Sequence, residues 1–232
     1  MDEVDHLVND GVRLKFGSPR ACGAYNEELC TSAEIDNELS DEEVKTHFDV
    51  NVFGQFRVLR AVLPSMRAQR SGVVANLGSI GGWSGVPAAG LYCASKAAIA
   101  IYTEALRGKL AEFGIQTTCI EPGYFRTNFL VGDGGNKVRA KVRIEELESV
   151  TKRTGEALKQ YNQRQPGDPA KGARLIVEAL TGTGLCRKRS LPSRLALGSD
   201  VVRAIGAAIE RNHEGLHLWK DLVATTDCDD VQ

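Results

Sequence analysis

The sequence lacks both a strong net charge and a long hydrophobic run. Its 29 lysine and arginine residues are balanced by 30 aspartate and glutamate residues. A chain with no excess of positive charge does not attract nucleic acid or anionic lipid over its whole surface, so we expect neither as a partner. No apolar run approaches the ~20 residues of a membrane-spanning helix, so we expect no membrane span. The acidic start, residues 1–5, has no signal-peptide core and favours a cytoplasmic protein.

Paired cysteine motifs are missing as well. The six cysteines lie at positions 22, 30, 93, 119, 186 and 228, and none of them form a Cys-x-x-Cys pair. This usage predicts reduced thiols. One segment, His213-Glu214-Gly215-Leu216-His217, fits the His-Glu-x-x-His pattern of zinc proteases. Its glycine weakens a helix by ~1 kcal/mol relative to alanine, and we expect a solvated helix there with no metal site.

Predicted strands and helices alternate along the chain. Short apolar runs predict strands over residues 4–9, 72–77 and 115–120. Helical spacing predicts helices over residues 40–64, 91–113, 169–180 and 200–222. Ser40 and Glu43 form a capping box at the first helix start, and Pro64 is expected to end that helix. This βαβ series predicts an α/β fold, a doubly wound parallel sheet in a single domain of residues 1–232.

Three segments carry no firm pattern. Residues 10–40 are rich in glycine, acidic and small polar residues, which is unusual for a connection inside a compact domain. Residues 181–199 are predicted to be a loop. Residues 128–165 are polar and helix-prone, with a glycine-rich start at 132–135, which leaves a mobile lid and a solvated excursion as equal alternatives.

Three residues at one edge of the predicted sheet suit proton transfer. Ser79 follows the strand over 72–77, and Tyr92 and Lys96 lie four residues apart on one helix face. A tyrosine that donates a proton near neutral pH needs a pKa below its ordinary value of ~10, and a nearby ammonium group lowers that pKa by stabilising the phenolate. A serine hydroxyl beside the tyrosine can orient a carbonyl oxygen. By spacing alone this pattern is weak, because Tyr-x-x-x-Lys is common on solvated helix faces.

The segments around these residues resemble the short-chain dehydrogenase/reductase family. The matching stretches are Asn51-Val52-Phe53-Gly54, Leu63-Pro64-Ser65-Met66, Asn76-Leu77-Gly78-Ser79, Tyr92-Cys93-Ala94-Ser95-Lys96 and Glu121-Pro122-Gly123-Tyr124-Phe125-Arg126-Thr127. Their order and spacing fit the family as well. The ending, residues 192–200 and the later Trp219, is similar to the hydroxysteroid-dehydrogenase-like branch. The resemblance implies a Rossmann-like sheet.

The resemblance implies four catalytic residues, Asn51, Ser79, Tyr92 and Lys96. Tyr92 would be the general acid in reduction and the base in oxidation. Lys96 would lower the pKa of that tyrosine and bind the nicotinamide ribose. Ser79 would hold the substrate carbonyl, and Asn51 would position a water molecule that links Lys96 to solvent.

The resemblance also implies a nucleotide cofactor, NADP by branch habit with NAD as the alternative. The cofactor-binding residues that it implies are Asn9, Arg60, Tyr92, Lys96, Pro122, Gly123, Phe125 and Thr127. The Thr127 hydroxyl is expected near the nicotinamide carboxamide. Asn9 also has a purely structural interpretation. Arg60 is the weakest of these assignments, and a surface or helix-packing charge is the favoured interpretation of it.

The function implied by the resemblance is an NAD(P)-dependent oxidoreductase that interconverts a ketone and a secondary alcohol. Leu130 and Val131 suggest a largely apolar small-molecule substrate, and residues 124–165 would form a substrate-side lid region. Family members commonly form homo-oligomers, here through the helices at about 41–70 and 91–113.

The chain departs from the family in its first part. The glycine-rich phosphate-binding turn, Thr-Gly-x-x-x-Gly-x-Gly, is absent from the sequence, and the strand over 4–9 matches the family's fourth strand. We therefore expect a domain that is N-terminally truncated. The alternative function is a truncated, non-catalytic relative that cannot bind the dinucleotide and pairs with an intact family member. The complete set of Asn51, Ser79, Tyr92 and Lys96 favours the enzyme.

Overall fold

A computed structural model describes residues 6–9, 31–32, 39–130, 137–138 and 144–228. Its strands are β1 (His6–Asn9), β2 (Thr31–Ser32), β3 (Gly72–Leu77), β4 (Ile115–Pro122), β5 (Lys137–Val138) and β6 (Arg194–Leu197). Four of them form a parallel sheet in the order β1-β3-β4-β6, and β2 pairs with β5 in a separate parallel ladder. Most of the irregular segment over 10–40 and the glycines at 132–135 lie outside the described residues.

The α-helices connect and cover these strands. They are α1 (Asp41–Phe48), α2 (Gln55–Gln69), α3 (Gly90–Leu110), α4 (Glu148–Tyr161), α5 (Pro169–Thr181) and α6 (Ser199–Val223). A π-helical segment, Asp49–Gly54, joins α1 to α2 without a break. Short 3-10 turns lie at Ile80–Gly82, Ala111–Phe113, Asn128–Leu130, Glu145–Leu147, Gly184–Cys186 and Ala224–Thr226. None of the described helices is long and apolar enough to cross a membrane, and the cytoplasmic location stays a prediction.

Apolar side chains cover both faces of the sheet. On one face, α2 and α3 pack against the sheet through Leu59, Leu63, Met66, Val74, Leu106, Leu110 and Ile115. On the other face, α5 and the segment before β6 contribute to a cluster of Val73, Ala75, Ile120, Leu180, Leu191 and Leu197. Val73 and Val74 belong to different clusters because successive side chains of a strand point to opposite faces. Helices on both faces of a parallel sheet confirm the predicted doubly wound α/β fold.

The start of α1 and the end of α3 follow the sequence signals. The Ser40 backbone N–H donates to the Glu43 carboxylate at 2.9 Å, and the Glu43 N–H donates back to the Ser40 hydroxyl at 3.4 Å. This reciprocal pair confirms the capping box. Gly114 follows the turn that extends α3 and has a φ of 67°, a left-handed conformation that glycine adopts without strain.

The predicted end of the first helix at Pro64 is wrong. Pro64 lies inside α2, which continues to Gln69. A proline inside a helix costs ~3 kcal/mol because it removes one backbone hydrogen bond and crowds the preceding turn. The neighbouring Leu63 and Met66 are both buried in the core, and burying two such side chains contributes ~1.5–3 kcal/mol each. Packing therefore outweighs the local penalty.

The predicted loop over residues 181–199 is also partly wrong, because β6 lies within it. Its four residues pair with Cys119 to Pro122 of β4. A strand of four residues is too short to show an alternation that distinguishes it from a loop. Its hydrogen bonds to β4, which no local pattern encodes, define it.

The Cys119 thiol provides a test of burial in this core. Burial raises the pKa of Cys119 from 9.0 to about 12, with the Glu121 carboxylate adding to the effect. The folded state therefore favours the neutral thiol, and this stabilisation is complete below pH about 9 and is lost as the pH rises through about 12. We expect the unfolding free energy of the wild type to fall more steeply over this range than that of Cys119→Ala, by up to ~1.4 kcal/mol per pH unit. Urea titrations at a series of alkaline pH values measure both slopes, and parallel slopes would contradict a buried thiol.

Candidate active site

A tight turn after β3 holds Ser79 at the carboxyl edge of the sheet. The Ser79 hydroxyl accepts a hydrogen bond from the Gly81 N–H at 3.1 Å, and the Gly82 N–H donates to the Ser79 carbonyl at 2.9 Å. Ser79 is buried, and within the described part of the chain its hydroxyl proton has no acceptor. The hydroxyl can therefore donate its proton in a hydrogen bond to a carbonyl oxygen placed beside it.

The same turn lies against the face of α3 that carries Tyr92 and Lys96. A Cβ added to Gly81 would lie 3.3 Å from Cε1 of the Tyr92 ring, and a Cβ added to Gly82 would lie 3.3 Å from the Lys96 carbonyl carbon. These distances are shorter than ordinary van der Waals contacts, so a side chain at either position would push the turn and the helix apart by a few tenths of an ångström. The two glycines therefore bring Ser79 to the tyrosine and the lysine.

Lys96 places a buried ammonium group beside the tyrosine ring. Its side chain is 3% exposed, and Nζ donates to the Leu77 carbonyl at 3.1 Å. Nζ also lies 5.8 Å from the centroid of the Tyr92 ring. The last carbonyl of β3 thus holds the lysine in place, and the structure brings Ser79, Tyr92 and Lys96 together.

Asn51 lies in the π-helical segment, whose wider turn the sequence analysis did not predict. Its side-chain amide donates to the backbone carbonyl of His47 at 3.1 Å. Its backbone carbonyl accepts from the side-chain amide of Gln55 at 3.0 Å. π-Helical turns inside α-helices occur often at functional sites. The proposed water between Asn51 and Lys96 stays a prediction.

His47 and Ser95 join this segment to α3, and the sequence analysis missed both. Nε2 of His47 lies 3.2 Å from the Ser95 hydroxyl oxygen. That hydroxyl donates to the backbone carbonyl of Tyr92 at 2.8 Å. Both residues are buried. The serine within Tyr-x-x-Ser-Lys was the available signal, whereas His47 lies 48 positions away and gave none.

We expect Gly81→Ala to lower catalytic turnover by about tenfold, because the new methyl group displaces the Tyr92 ring and small misplacements of reacting groups are costly. Gly85→Ala in the same loop is the matched control, since a Cβ there has no atom within 4 Å. Turnover numbers of the two variants, together with their melting temperatures, check this. Equal turnover in both variants would show that the turn does not position Tyr92.

A second part of the site follows β4. Pro122 is the last residue of that strand, and the Gly123 N–H donates to the Leu197 carbonyl at 2.9 Å. The Asp200 carboxylate lies directly against Gly123, where a Cβ would overlap with it, and accepts from the Tyr124 N–H at 2.7 Å. Sequence analysis missed the role of Asp200 in holding this turn, because the contact joins positions 76 residues apart.

The chain after Gly123 carries Phe125 and Thr127. Phe125 packs against Gly167 and Gly172, where a Cβ at either glycine would overlap with its ring. Its side chain is therefore half-buried and packs against the core cluster around Leu180 and Leu197. Thr127 is exposed, and its hydroxyl accepts from the Phe129 N–H at 3.3 Å. The cofactor contacts assigned to Phe125 and Thr127 stay predictions.

The two remaining predicted cofactor-binding residues, Asn9 and Arg60, lie on β1 and α2. Asn9 ends β1 and is in register with Asn76 of β3, which places its backbone at the same edge of the sheet as Ser79. Arg60 is exposed on α2, and no hydrogen bond or ion pair joins its side chain to another residue in the described part of the chain. The structure therefore gives no support to a cofactor contact by Arg60.

Aromatic side chains line the site on the side of α4. The rings of Tyr92 and Phe129 are 6.2 Å apart, and those of Tyr124 and Tyr161 meet edge to face at 5.2 Å. Burial raises the pKa of Tyr124 above its ordinary value, so this phenol is neutral over the physiological range. Phe129 therefore places an apolar ring beside Tyr92, and the Tyr124 phenol carries no charge in this range.

The His-Glu-x-x-His segment lies in the exposed second half of α6. Among residues 39–130 and 144–228, no three histidine, cysteine, aspartate or glutamate side chains are grouped so that they could hold a metal ion. His213 and His217 belong to a solvent-facing helix surface in this part of the chain.

The described residues form a doubly wound parallel sheet with a serine, a tyrosine and a lysine at its carboxyl edge, which is a Rossmann-like α/β arrangement. The family profile described as short chain dehydrogenase matches residues 23–135. A solved short-chain dehydrogenase from Streptomyces avermitilis is 31% identical, with a TM-score of 0.76 over 97% of this chain and 72% of that chain. The chain belongs to the short-chain dehydrogenase family.

Two curated relatives match shorter parts of the chain. A 3-ketodihydrosphingosine reductase of Bacteroides thetaiotaomicron is 42% identical over 39% of this chain and 34% of its own length. Human 17-beta-hydroxysteroid dehydrogenase type 1 is 41% identical over 40% of this chain and 28% of its own length. The chain therefore covers about a third of each of these two proteins.

Family structures with a bound nucleotide share this fold. One from Burkholderia cenocepacia, in complex with NADP, is 19% identical with a TM-score of 0.55, covering 93% of this chain and 68% of that chain. One from Burkholderia phymatum, in complex with NAD, is 22% identical with a TM-score of 0.62, covering 82% of this chain and 64% of that chain.

Proposed function

We propose that the protein interconverts a ketone and a secondary alcohol on a largely apolar small molecule, with a nicotinamide dinucleotide as hydride carrier. The observation that carries this proposal is the group of Ser79, Tyr92 and Lys96. The Ser79 hydroxyl can donate a hydrogen bond, the Tyr92 ring lies against the turn that carries Ser79, and the buried Lys96 ammonium group lies beside that ring.

Each residue has one task in ketone reduction. The Ser79 hydroxyl donates a hydrogen bond to the substrate carbonyl oxygen, where negative charge develops. The Tyr92 phenol donates its proton to the same oxygen, and in oxidation the phenolate takes it back. The Lys96 ammonium, held by the Leu77 carbonyl, favours the phenolate that proton donation leaves behind.

The residues present fit the nicotinamide half of a dinucleotide. When bound, the dinucleotide supplies or accepts the hydride. Lys96 and Tyr92 offer an ammonium group and a phenol on one helix face, which suits the hydroxyl pair of a ribose. The glycine-rich turn for the pyrophosphate half is absent from the sequence. We propose NADP as the preferred cofactor, with NAD as the alternative.

The proposed substrate is apolar because the surroundings of Tyr92 are apolar. Phe129 packs beside the Tyr92 ring, and Leu130 next to it is buried. The two curated relatives are named for a ketodihydrosphingosine and for a hydroxysteroid, which agrees with a hydrophobic carbonyl compound. The contact of Tyr124 with Tyr161 joins residues near the site to α4, and we propose residues 124–165 as the substrate-side lid region.

We also propose a homo-oligomer that pairs through the π-helical segment, α2 and α3. Phe53 and Ile101 on these elements are large apolar residues that expose 49% and 60% of their surface. Exposed apolar surface of this kind is typical of protein–protein contacts. Sedimentation of the wild type and of Ile101→Lys distinguishes the two states, since the charged side chain should shift a dimer to monomer. A wild type that sediments as a monomer at every concentration would contradict the pairing.

A second candidate function is favoured by the missing glycine-rich turn. Without it, the chain would be a non-catalytic relative that pairs with an intact family member. An assay that follows oxidation of NADPH and NADH with a panel of ketosteroids, keto-fatty acyl compounds and aromatic ketones separates the two candidates. Turnover that requires Tyr92 supports the enzyme. A folded chain without turnover or nucleotide binding supports the non-catalytic relative.

A further inference from the structure

Trp83 ends the turn that carries Ser79, and two charged residues from neighbouring strands hold its side chain. Glu121 of β4 is fully buried. Arg194 of β6 donates to Oε1 of Glu121 from Nε at 2.8 Å and from Nη2 at 2.5 Å. The second carboxylate oxygen, Oε2, accepts from the Trp83 indole N–H at 2.8 Å.

The three side chains form a closed set in which each contacts the other two. The Arg194 guanidinium lies over the Trp83 ring, with its central carbon 3.9 Å from the ring centroid. Planar stacking of this kind suits arginine, whose guanidinium is weakly hydrated. The indole is therefore fixed both at its edge, by Glu121, and on its face, by Arg194.

Stability alone does not account for this arrangement. Replacing a buried ion pair with apolar side chains of similar volume is often neutral or stabilising, because desolvation of the charges offsets their attraction. The carboxylate here has a second partner, the indole N–H of a loop residue. A role in fixing the loop explains why a buried carboxylate is kept here, paired with the partly exposed guanidinium of Arg194.

The Glu121 side chain contacts the Ser79 turn at its two ends, near Gly78 and at Trp83. A Cβ added to Gly78 would lie 2.6 Å from Sγ of Cys119 and 3.2 Å from Cγ of Glu121, so the start of the turn packs closely on these two side chains of β4. At the other end of the turn, the backbone N–H of Trp83 donates to the Ile80 carbonyl at 3.2 Å. Glu121 thus contacts Gly78, directly before Ser79, and Trp83, which ends the turn after it.

We propose that Glu121 and Arg194 are positioning residues that act through Trp83. They fix the turn from Ser79 to Trp83 against α3, and so set the distance between the Ser79 hydroxyl and the Tyr92 phenol. This inference rests on the proposed function, because its consequence is measured on ketone reduction.

A double-mutant cycle between Trp83 and Ser79 tests the proposal. Trp83→Phe keeps the aromatic ring and removes only the N–H that Glu121 binds. We expect it to lower kcat about tenfold with the KM for the dinucleotide unchanged, since the reacting groups are misplaced while the nucleotide contacts remain. In a Ser79→Ala background the same change should have no further effect, because the two residues act as one unit. Trp219→Phe, at an exposed tryptophan, is the matched control and should leave kcat unchanged.

A spectroscopic measurement tests the contact without any turnover. In the Trp219→Phe protein, Trp83 is the single remaining tryptophan. Adding Glu121→Gln should raise the acrylamide quenching constant of Trp83 about twofold, because a loop with a weaker contact opens more often. Glu104→Gln is the matched control: Glu104 also contacts Arg194, at 3.5 Å, and does not touch the indole.

The two measurements separate failure of this inference from failure of the proposed function. Equal losses of kcat from Trp83→Phe with and without Ser79 would overturn the positioning role while leaving the enzyme intact. A quenching constant that is the same in Glu121→Gln and Glu104→Gln would overturn the contact itself. A wild type without turnover would contradict the proposed function and the catalytic part of this inference. The quenching result would still decide whether Glu121 holds Trp83.

Discussion

Replacing Tyr92 with phenylalanine is expected to lower kcat for ketone reduction by about 10²–10⁴-fold, the range that general acid catalysis contributes. The phenol is the proton donor, and phenylalanine keeps the ring that packs against Gly81 and Phe129. The fold should therefore remain, with a melting temperature close to that of the wild type. Initial rates at saturating dinucleotide and ketone measure the loss.

Tyr102→Phe is the matched control for this change. Tyr102 lies on the same helix, half-buried, with its ring 4.4 Å from that of Phe56. It packs against the core cluster between the sheet, α2 and α3, and should therefore retain wild-type kcat. If Tyr92→Phe retained turnover like Tyr102→Phe, another group would have to donate the proton, and the assignment of Tyr92 would be wrong.

Replacing Lys96 with methionine is the second large expected effect. Methionine retains most of the apolar stem but removes the ammonium group, its hydrogen bond to the Leu77 carbonyl and its charge beside the Tyr92 ring. We expect kcat to fall by at least ~10²-fold and the affinity for the dinucleotide to fall by about tenfold or more, as loss of a hydrogen bond from a charged group costs ~1.5–3 kcal/mol. Stopped-flow rates and nucleotide titrations measure the two effects separately.

Lys109→Met provides the control on the same helix. Lys109 is exposed near the end of α3, so its replacement removes an equal charge without touching the site. Wild-type kinetics in this variant together with a loss in Lys96→Met would show that the location of the charge matters. Equal behaviour of the two variants would contradict a role for Lys96 in the reaction.

Most of the fold could be predicted from local signals. The strand over 72–77, the capping box at Ser40 and the glycine after α3 are each encoded by a few adjacent residues, and the structure confirms all three. The continuation of α2 past Pro64 and the pairing of β6 could not be predicted this way. Both depend on contacts with distant residues, namely core packing around Leu63 and hydrogen bonds to β4.

In the candidate site, too, the residues that form a local sequence pattern could be predicted, and those that act through distant contacts could not. Ser79, Tyr92 and Lys96 lie within 18 positions of one another and form a recognisable pattern, and the structure brings them together. The residues that hold them lie elsewhere in the chain: His47 reaches Ser95 across 48 positions, and Glu121 reaches Trp83 across 38. A buried histidine or glutamate has no local signature that distinguishes a positioning role from an ordinary core contact.

The proposed nicotinamide-dependent activity requires that the 232-residue chain binds a nicotinamide dinucleotide at Lys96, and this binding can be measured directly. A fluorescence titration of the purified chain with NADPH and then with NADH measures this, alongside Lys96→Ala. We expect saturable binding by the wild type and weaker binding by Lys96→Ala. A folded chain that binds neither nucleotide, or binds them equally well with and without Lys96, would contradict this expectation.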